Sequence, residues 1–517
     1  MNGHEAPPAS GVTPNSSPLS RRGFIRRVGL LSAGLAALPL LSACGGAATP
    51  AAKESAPAPT SAPAKPAEAA KPAAPAAAPA ATSAPAKPAE AAKPAEAPKP
   101  AEAPKPAAAA TGAQTTVKFE GWDYEPPLVE QNIQRFTSLN PTIKVDYTPI
   151  ISAEYRQKLV AEFTAGANPD ALYVRDDYFA GWVTAGYLQD IEGMPGVDET
   201  YKLFYDFNAD AMTYNGKRYG MPYYADVMTF VYNEEMLQKA GFNAPPTTLP
   251  ELEEQALKIK SAGISQFPMS LSLGLTNDFW SNWWGLIYGS GAKLFDDKLN
   301  PILDKDPAVK GVMSWIAKGL SDTKIIDPAS LETATIPRDN FMAGQHAFIL
   351  IARYDVEAVN NPERSKVAGK AKMALIPGLD GPSKGTVGWT RMYCLAKTTK
   401  VKDEAYKLIY YLGGLDEKKE PYTAKFWFLN RGLGFTYKAL GDDPEIKAKL
   451  AKFTDPVIYS KQAEVARVRE AVTEPWYSEW ESGNQKLMQQ VFTKQLTVDD
   501  ALKGMVANAE KLKKQNA

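Results

Sequence analysis

Residues 47–113 exclude more folds than any other stretch of this chain. They are almost only Ala, Pro, Lys, Glu and Ser, and fifteen of the chain's 42 prolines fall among them. Proline lacks the backbone donor of a helix and clashes with the preceding turn, so a packed helix is excluded. The stretch is expected to run as an extended, semi-rigid spacer. At roughly 3.1 Å per residue its reach is on the order of 200 Å. It carries no chemistry of its own, so any folded body has to be built from 114–517.

What precedes the spacer reads as an address. Ser20-Arg21-Arg22-Gly23-Phe24-Ile25-Arg26 has the form of a twin-arginine export motif, and an apolar run from Val28 to Leu41 follows it. That run is too short to span a bilayer as a stable helix. It ends in Leu41-Ser42-Ala43-Cys44, small residues before a thiol that would take a lipid. The order predicts that 1–43 are removed as a signal peptide and that 44–113 comprise the lipidated Cys44 and the linker. The mature protein is then expected on the outer face of the cytoplasmic membrane, anchored to it by lipid rather than spanning it.

From residue 114 the chain carries 47 Lys+Arg against 52 Asp+Glu, a formal charge of −5. A nucleic-acid binder should be basic, so that class is excluded. About 400 residues are too many for one ordinary core and suit two lobes. Cys394 is the only cysteine besides Cys44, and His346 is the only histidine after the leader. There is no disulfide framework and no cysteine metal cluster, and a Ser-His-Asp reading would hang on one residue. No phosphate-loop, dinucleotide or HExxH motif occurs, and neither cofactor nor metal is expected. Asp176, Asp177, Asp226 and Glu474 would serve glycoside hydrolysis only as a pair about 5–10 Å apart across a sugar. Enzyme is the weaker class.

Taken in order, Thr116–Gly121 alternates as a strand, Leu128–Leu139 reads as a helix, and Ile143–Tyr147 is a second strand. A helix over Tyr155–Ala165 and a strand over Ala171–Val174 complete a β-α-β-α-β run. That order favours an open α/β sheet with a ligand crevice beyond the strand carboxyl ends. Trp122, Asp123, Arg175, Asp176 and Asp177 then share one rim. Tyr219–Asn233 follows an Asn215–Gly216 turn, enters through Met-Pro, and continues as a β-rich run into a helix begun by Glu234 and Glu235. Asp226 sits in it beside Tyr224, either where the chain crosses between lobes or as a capping acid on a buried strand. Val401–Leu412 is an amphipathic helix, and Val498–Asn508 reads as a closing helix on the second lobe.

The segments RFTSLNPTIKVDY, AGANPDALYVRDDYFAGWVTAGYLQDI, GKRYGMPYY, FMAGQHAFIL and GWTRMYCLAKTTKVKDEAYKLIYYL come in the order and spacing of a known family. The chain resembles the extracellular solute-binding proteins of family 1, receptors of carbohydrate ABC importers, over essentially all of 115–510. The resemblance implies a type II periplasmic-binding-protein-like fold, each lobe an open sheet flanked by helices. It implies 114–225 with 392–432 in the first lobe and 226–386 with 440–517 in the second, joined by crossings near 223–229, 385–391 and 430–440. It further implies a sugar or oligosaccharide ligand, an ABC permease as partner and a monomeric receptor without turnover.

Carried over residue by residue, Asp177 falls on a sugar-contacting aspartate with Arg175 and Asp176 beside it, and Asp226 falls on a hinge acid. Trp480 lies near a stacking tryptophan with Trp476 one turn earlier, and Trp280 with Trp283 occupies the region of another. Val174 stands where the maltose-binding members have a stacking Trp, so maltose itself is not implied. The residue chemistry agrees: carboxylates and Arg bond sugar hydroxyls, and aromatic rings cover C–H faces. Trp389, beside Gly388 and Arg391, is a cleft candidate on this ground, whereas Trp182 is assigned to the core. Two other readings remain. Tyr223-Tyr224 resembles the paired tyrosines of ferric-ion receptors of the same fold, although neighbours on an extended strand alternate in direction. A surface glycosidase is the other.

Overall fold

The computed structural model of the protein describes residues 114–275, 279–332 and 337–516. The leader, Cys44 and the spacer lie outside the described residues, as do the side chains of Phe279 and Trp280. The described strands are β1 (Thr115–Trp122), β2 (Ile143–Ile150), β3 (Ala171–Arg175), β4 (Leu188–Gln189), β5 (Thr213–Tyr214) and β6 (Lys217–Arg218). They continue as β7 (Gly220–Asn233), β8 (Met269–Ser270), β9 (Phe348–Ala352), β10 (Ala371–Ala374), β11 (Thr386–Ala396) and β12 (Ala466–Arg467).

The first half is a β-α-β-α-β unit. β1 pairs in parallel with β2 and with β3, and helices Pro126–Leu139 and Ser152–Ala165 form the crossovers. Val117 and Phe119 on β1 are fully buried while Lys118 between them is exposed, the period-2 signature of a strand packed on one face. Asn215 and Gly216 join β5 to β6, with φ of 48° and 73°. A tight hairpin turn needs positive φ at both central positions, and Asn-Gly supplies it at low steric cost.

β7 carries the architecture. Its first half, from Gly220 to Val227, pairs antiparallel with β11, and its second half, from Met228 to Tyr232, pairs antiparallel with β9. One strand therefore passes from a sheet containing β1, β2, β3 and β11 into a sheet containing β8, β9 and β10. β11 runs beside it, bonded to β3 near its carboxyl end and to β12 at Thr386 and Val387. The mixed α/β arrangement is a two-lobe one, each sheet flanked by helices. Pro222 is tolerated in this central strand because the ladder is broken there. Arg391 pairs with Tyr224 and Met392 with Pro222, so Tyr223 is the extra residue of a bulge.

Buried apolar side chains form two clusters. One surrounds Phe119, Tyr173, Tyr223, Tyr393 and Trp427. The other surrounds Phe230, Trp283, Trp284, Trp476 and Trp480. Trp182 belongs to the first cluster, edge-on to Phe163, as a core residue should. Asn233 caps helix Glu234–Lys239 by accepting from the Met236 N–H, with Glu234 and Glu235 at the positive end. The last helix is longer than its amphipathic pattern predicted, Val498–Gln515, and buries Ala501, Leu502 and Met505. His346 is a buried structural group whose Nδ1 lies 2.7 Å from the Phe267 carbonyl oxygen. No helix among the described residues is long and apolar enough to cross a membrane.

The segment after helix Tyr422–Arg431 crosses close to β7. The Ala225 N–H donates to the Gly434 carbonyl at 3.1 Å. A Cβ at Gly434 would run into the Ala225 carbonyl oxygen, with Arg353 Nη2 3.0 Å and Asp226 Cγ 3.2 Å away. Backbone cannot step aside as a side chain can. Gly434→Ala is therefore expected to destabilise the protein by about 1–3 kcal/mol, read as a lower urea midpoint; an unchanged midpoint would show that the crossing has slack.

Candidate functional site

Between the two halves lies a cavity of about 650 Å³, within the range of small-molecule sites. The topology puts it there. Trp122 ends β1 and Arg175 ends β3, so both project past the carboxyl edge of the parallel strands, where open α/β sheets bind ligands. Tyr224 and Met228 of β7 and Trp389 and Arg391 of β11 form the crossing wall. The second half adds Ser281 and Asn282 from helix Phe279–Gly289, Arg338, the turn Ala352–Asp355 and Arg469.

Charge on the wall is held in fixed pairs. Arg175 forks onto Asp177, Nε to Oδ1 at 2.9 Å and Nη2 to Oδ2 at 3.0 Å. Burial alone would raise the Asp177 carboxyl, but Arg175, Arg391 and Arg469 outweigh it and hold the group well below the usual carboxylate range. Asp177 is thus a permanent anion and cannot serve as a general acid near neutral pH. Asp176 lies behind the wall, 1 % exposed. Its Oδ1 accepts from Arg391 Nη1 at 2.7 Å and Arg469 Nη2 at 3.3 Å, and its Oδ2 accepts from the Thr390 N–H at 3.2 Å. Arg469 also reaches Glu481 at 3.3 Å, and Arg338 donates to Asp355 at 2.7 Å. Six aromatic residues, Trp122, Tyr155, Tyr178, Tyr224, Tyr354 and Trp389, line the cavity beside these charges.

The structure brings Trp122, Arg175, Asp177, Tyr224 and Trp389 to one cavity, with Asp176 as the buried partner of its arginines. It sends the others elsewhere. Asp226 is fully buried one layer back, its Oδ1 accepting from Arg353 Nε at 3.0 Å and its Oδ2 from the Tyr354 N–H at 2.8 Å. A carboxylate on an interior strand needs such a countercharge, and Arg353 supplies it, so no oxygen is left facing the cavity. Asp123 is exposed and caps helix Ser152–Ala165, accepting from the Ser152 N–H at 2.9 Å and its hydroxyl at 2.7 Å. Trp283 is a core residue, because the helical period that turns Ser281 and Asn282 to the cavity turns it inward. Trp480 is fully buried and donates to the Met505 carbonyl at 3.1 Å, so the final helix covers it. Trp476 packs on Phe295 and donates to Glu474 at 3.1 Å. Trp280 lies outside the described side chains.

Tyr223 departs from strict alternation through the bulge. It stacks on Tyr173 at 4.7 Å inside the aromatic cluster, and burial pushes its phenol well above the ordinary value. Only Tyr224 reaches the cavity, so the two do not converge on one hard cation. Arg156, Arg338, Arg391 and Arg469 also line the cavity, beyond the residues that the sequence marks as candidates. Of these Arg391 carried a signal, its place beside Trp389; the others come from three separate segments that only the fold brings together.

Comparison with known proteins bears on the whole chain rather than on the cavity. The bacterial extracellular solute-binding protein family matches residues 131–451, more than half of the chain. A binding protein of Brucella abortus (strain 2308) is 24% identical over 288 residues, 55% of this chain and 68% of that one. The maltotriose-binding protein of Pyrococcus abyssi is 22% identical over 341 residues, 63% of this chain and 66% of that one. Maltose-bound MalE3 of T. maritima superposes with a TM-score of 0.65 at 22% identity, covering 77% of this chain and 99% of that one. The fold is the two-lobe one of that solved structure, and the chain belongs to the bacterial extracellular solute-binding protein family.

Proposed function

We propose that this protein is an exported receptor that binds a sugar or oligosaccharide between its lobes and delivers it to an ABC permease. The observation that carries the reading is the wall itself: six aromatic residues beside a forked Arg175–Asp177 pair in one interlobe cavity. Flat apolar rings suit the C–H faces of a pyranose, and charge-assisted donors and acceptors suit its hydroxyls. Lobes built of 114–225 with 392–432 and of 226–386 with 440–517 would close on it by hinge motion about β7 and β11. The twin-arginine motif, the apolar run and Cys44 support lipid anchoring, and the Ala/Pro spacer would hold the receptor clear of the membrane.

The test is thermal unfolding of the full chain with mono- and oligosaccharides, and with amino acids and ferric iron as controls. A sugar at a hundred times its dissociation constant is expected to stabilise the protein by about 2.7 kcal/mol, with no product formed. A shift with amino acids or iron and none with sugars would overturn the reading.

A further inference from the structure

The wall of the cavity carries five arginines, Arg156, Arg175, Arg338, Arg391 and Arg469, and two carboxylates, Asp177 and Asp355. The acids behind it do not redress what a ligand meets. Asp176 is consumed by Arg391 and Arg469, Glu481 by Arg469 and Tyr477, and Asp339 by Arg338. Both Asp177 oxygens are in the Arg175 fork. Each guanidinium has five N–H donors, accepts nothing and keeps its charge at any accessible pH. The pairs above use one or two of the five donors of each arginine, so donors outnumber carboxylate acceptor sites on this wall.

Arg156 marks the imbalance. It lies on the second turn of helix Ser152–Ala165 at the cavity mouth, exposed, with its guanidinium 5.2 Å from the Tyr178 ring centroid. No ion pair to it occurs among the described residues, and the acid nearest in the helix cap, Asp123, is taken up by Ser152. A neutral sugar brings a donor hydrogen with every hydroxyl, and on this wall five guanidiniums face two carboxylates. A group with acceptors only suits it better, because unmatched donors on either side cost desolvation.

We infer that the solute is an anionic sugar, one carrying a carboxylate or a phosphate that lies among Arg156, Arg175 and Arg338. This rests on the sugar reading above and narrows it. Calorimetric titration of the full chain tests it with trigalacturonate against maltotriose, glucose 6-phosphate against glucose, and citrate as an acidic non-sugar. At least one anionic sugar is expected to bind about tenfold or more tightly than its neutral counterpart, and the pair that shows it assigns the anion. The advantage should shrink as salt is raised, since the mouth is open to screening. Arg156→Gln, at an exposed position that the fold does not need, should reduce the preference about threefold or more, and Arg156→Lys should retain most of it. Neutral sugars binding as tightly as the anionic ones would overturn the anionic class and leave the sugar reading standing. Citrate binding with no sugar bound would overturn both, and failure of both anionic sugars to bind would overturn the inference.

Discussion

Asp226→Ala should lower the unfolding free energy by about 3–5 kcal/mol, measured by urea denaturation, and this exceeds any direct effect on ligand. Arg353 is 1 % exposed, and Asp226 is its only carboxylate partner among the described residues. Its Nη1 donates to the Tyr459 carbonyl at 2.8 Å and its guanidinium lies 3.8 Å over the Tyr459 ring, so it cannot swing out to water. Removing Asp226 strands that charge and deprives the Val227 and Tyr354 N–H groups of their acceptor. Adding Arg353→Met should recover a large part of the loss, because an apolar replacement of a whole buried pair is often neutral. If Asp226→Ala unfolds like the parent protein, the pair is not a structural tie. The pH dependence has a definite sign. Burial raises the Asp226 carboxyl to about 6, against the pull of Arg353. With the unfolded value near 4, the stability linked to its protonated form is fully present below about pH 4 and is lost as pH rises through about 6, above which the ionised pair with Arg353 is the form that Asp226→Ala removes. Asp226→Asn should flatten that part of the profile.

The same residue shows what sequence can carry. The change of lobe at β7 was legible, because a β-rich run leaves a Met-Pro and an Asn-Gly turn and ends in a capped helix, all local signals. The rim was legible too, since a β-α-β-α-β order fixes which strand ends face a crevice, and Trp122, Arg175 and Asp177 follow from it. The partner of Asp226 was not, because Arg353 lies 127 positions away and nothing local links them. Nor was the fate of the late tryptophans. Trp476 and Trp480 are one helical turn apart, a spacing that fits a stacking pair in a cleft and a core stripe equally well; what decides is the final helix, whose Met505 carbonyl accepts from Trp480. The bulge at Tyr223 belongs in the same class, since it is a property of the pairing with β11 rather than of the strand.

Adjacent aspartates should separate stability from binding. Asp177→Ala is expected to weaken a neutral sugar such as maltotriose, whose hydroxyls donate to the carboxylate, by about 1.5–3 kcal/mol, more than about tenfold in dissociation constant, while leaving the unfolding midpoint little changed. Its partner Arg175 is 31% exposed in the side chain and can find water once the fork is gone. Asp176→Ala should do the reverse. Its carboxylate is buried under two arginines, one from β11 and one from the segment before helix Tyr477–Phe492, so its loss leaves two guanidiniums facing each other across the lobes. A cost of about 3–5 kcal/mol is expected, and with it a looser join between the halves, seen as faster proteolysis in the absence of ligand. The distinction follows from one turn of chain: the strand β3 ends at Arg175, the helix begins at Asp176, and the next residue swings round to the open side. If Asp177→Ala unfolds the protein while Asp176→Ala only weakens the sugar, the wall and the layer behind it have been assigned in the wrong order.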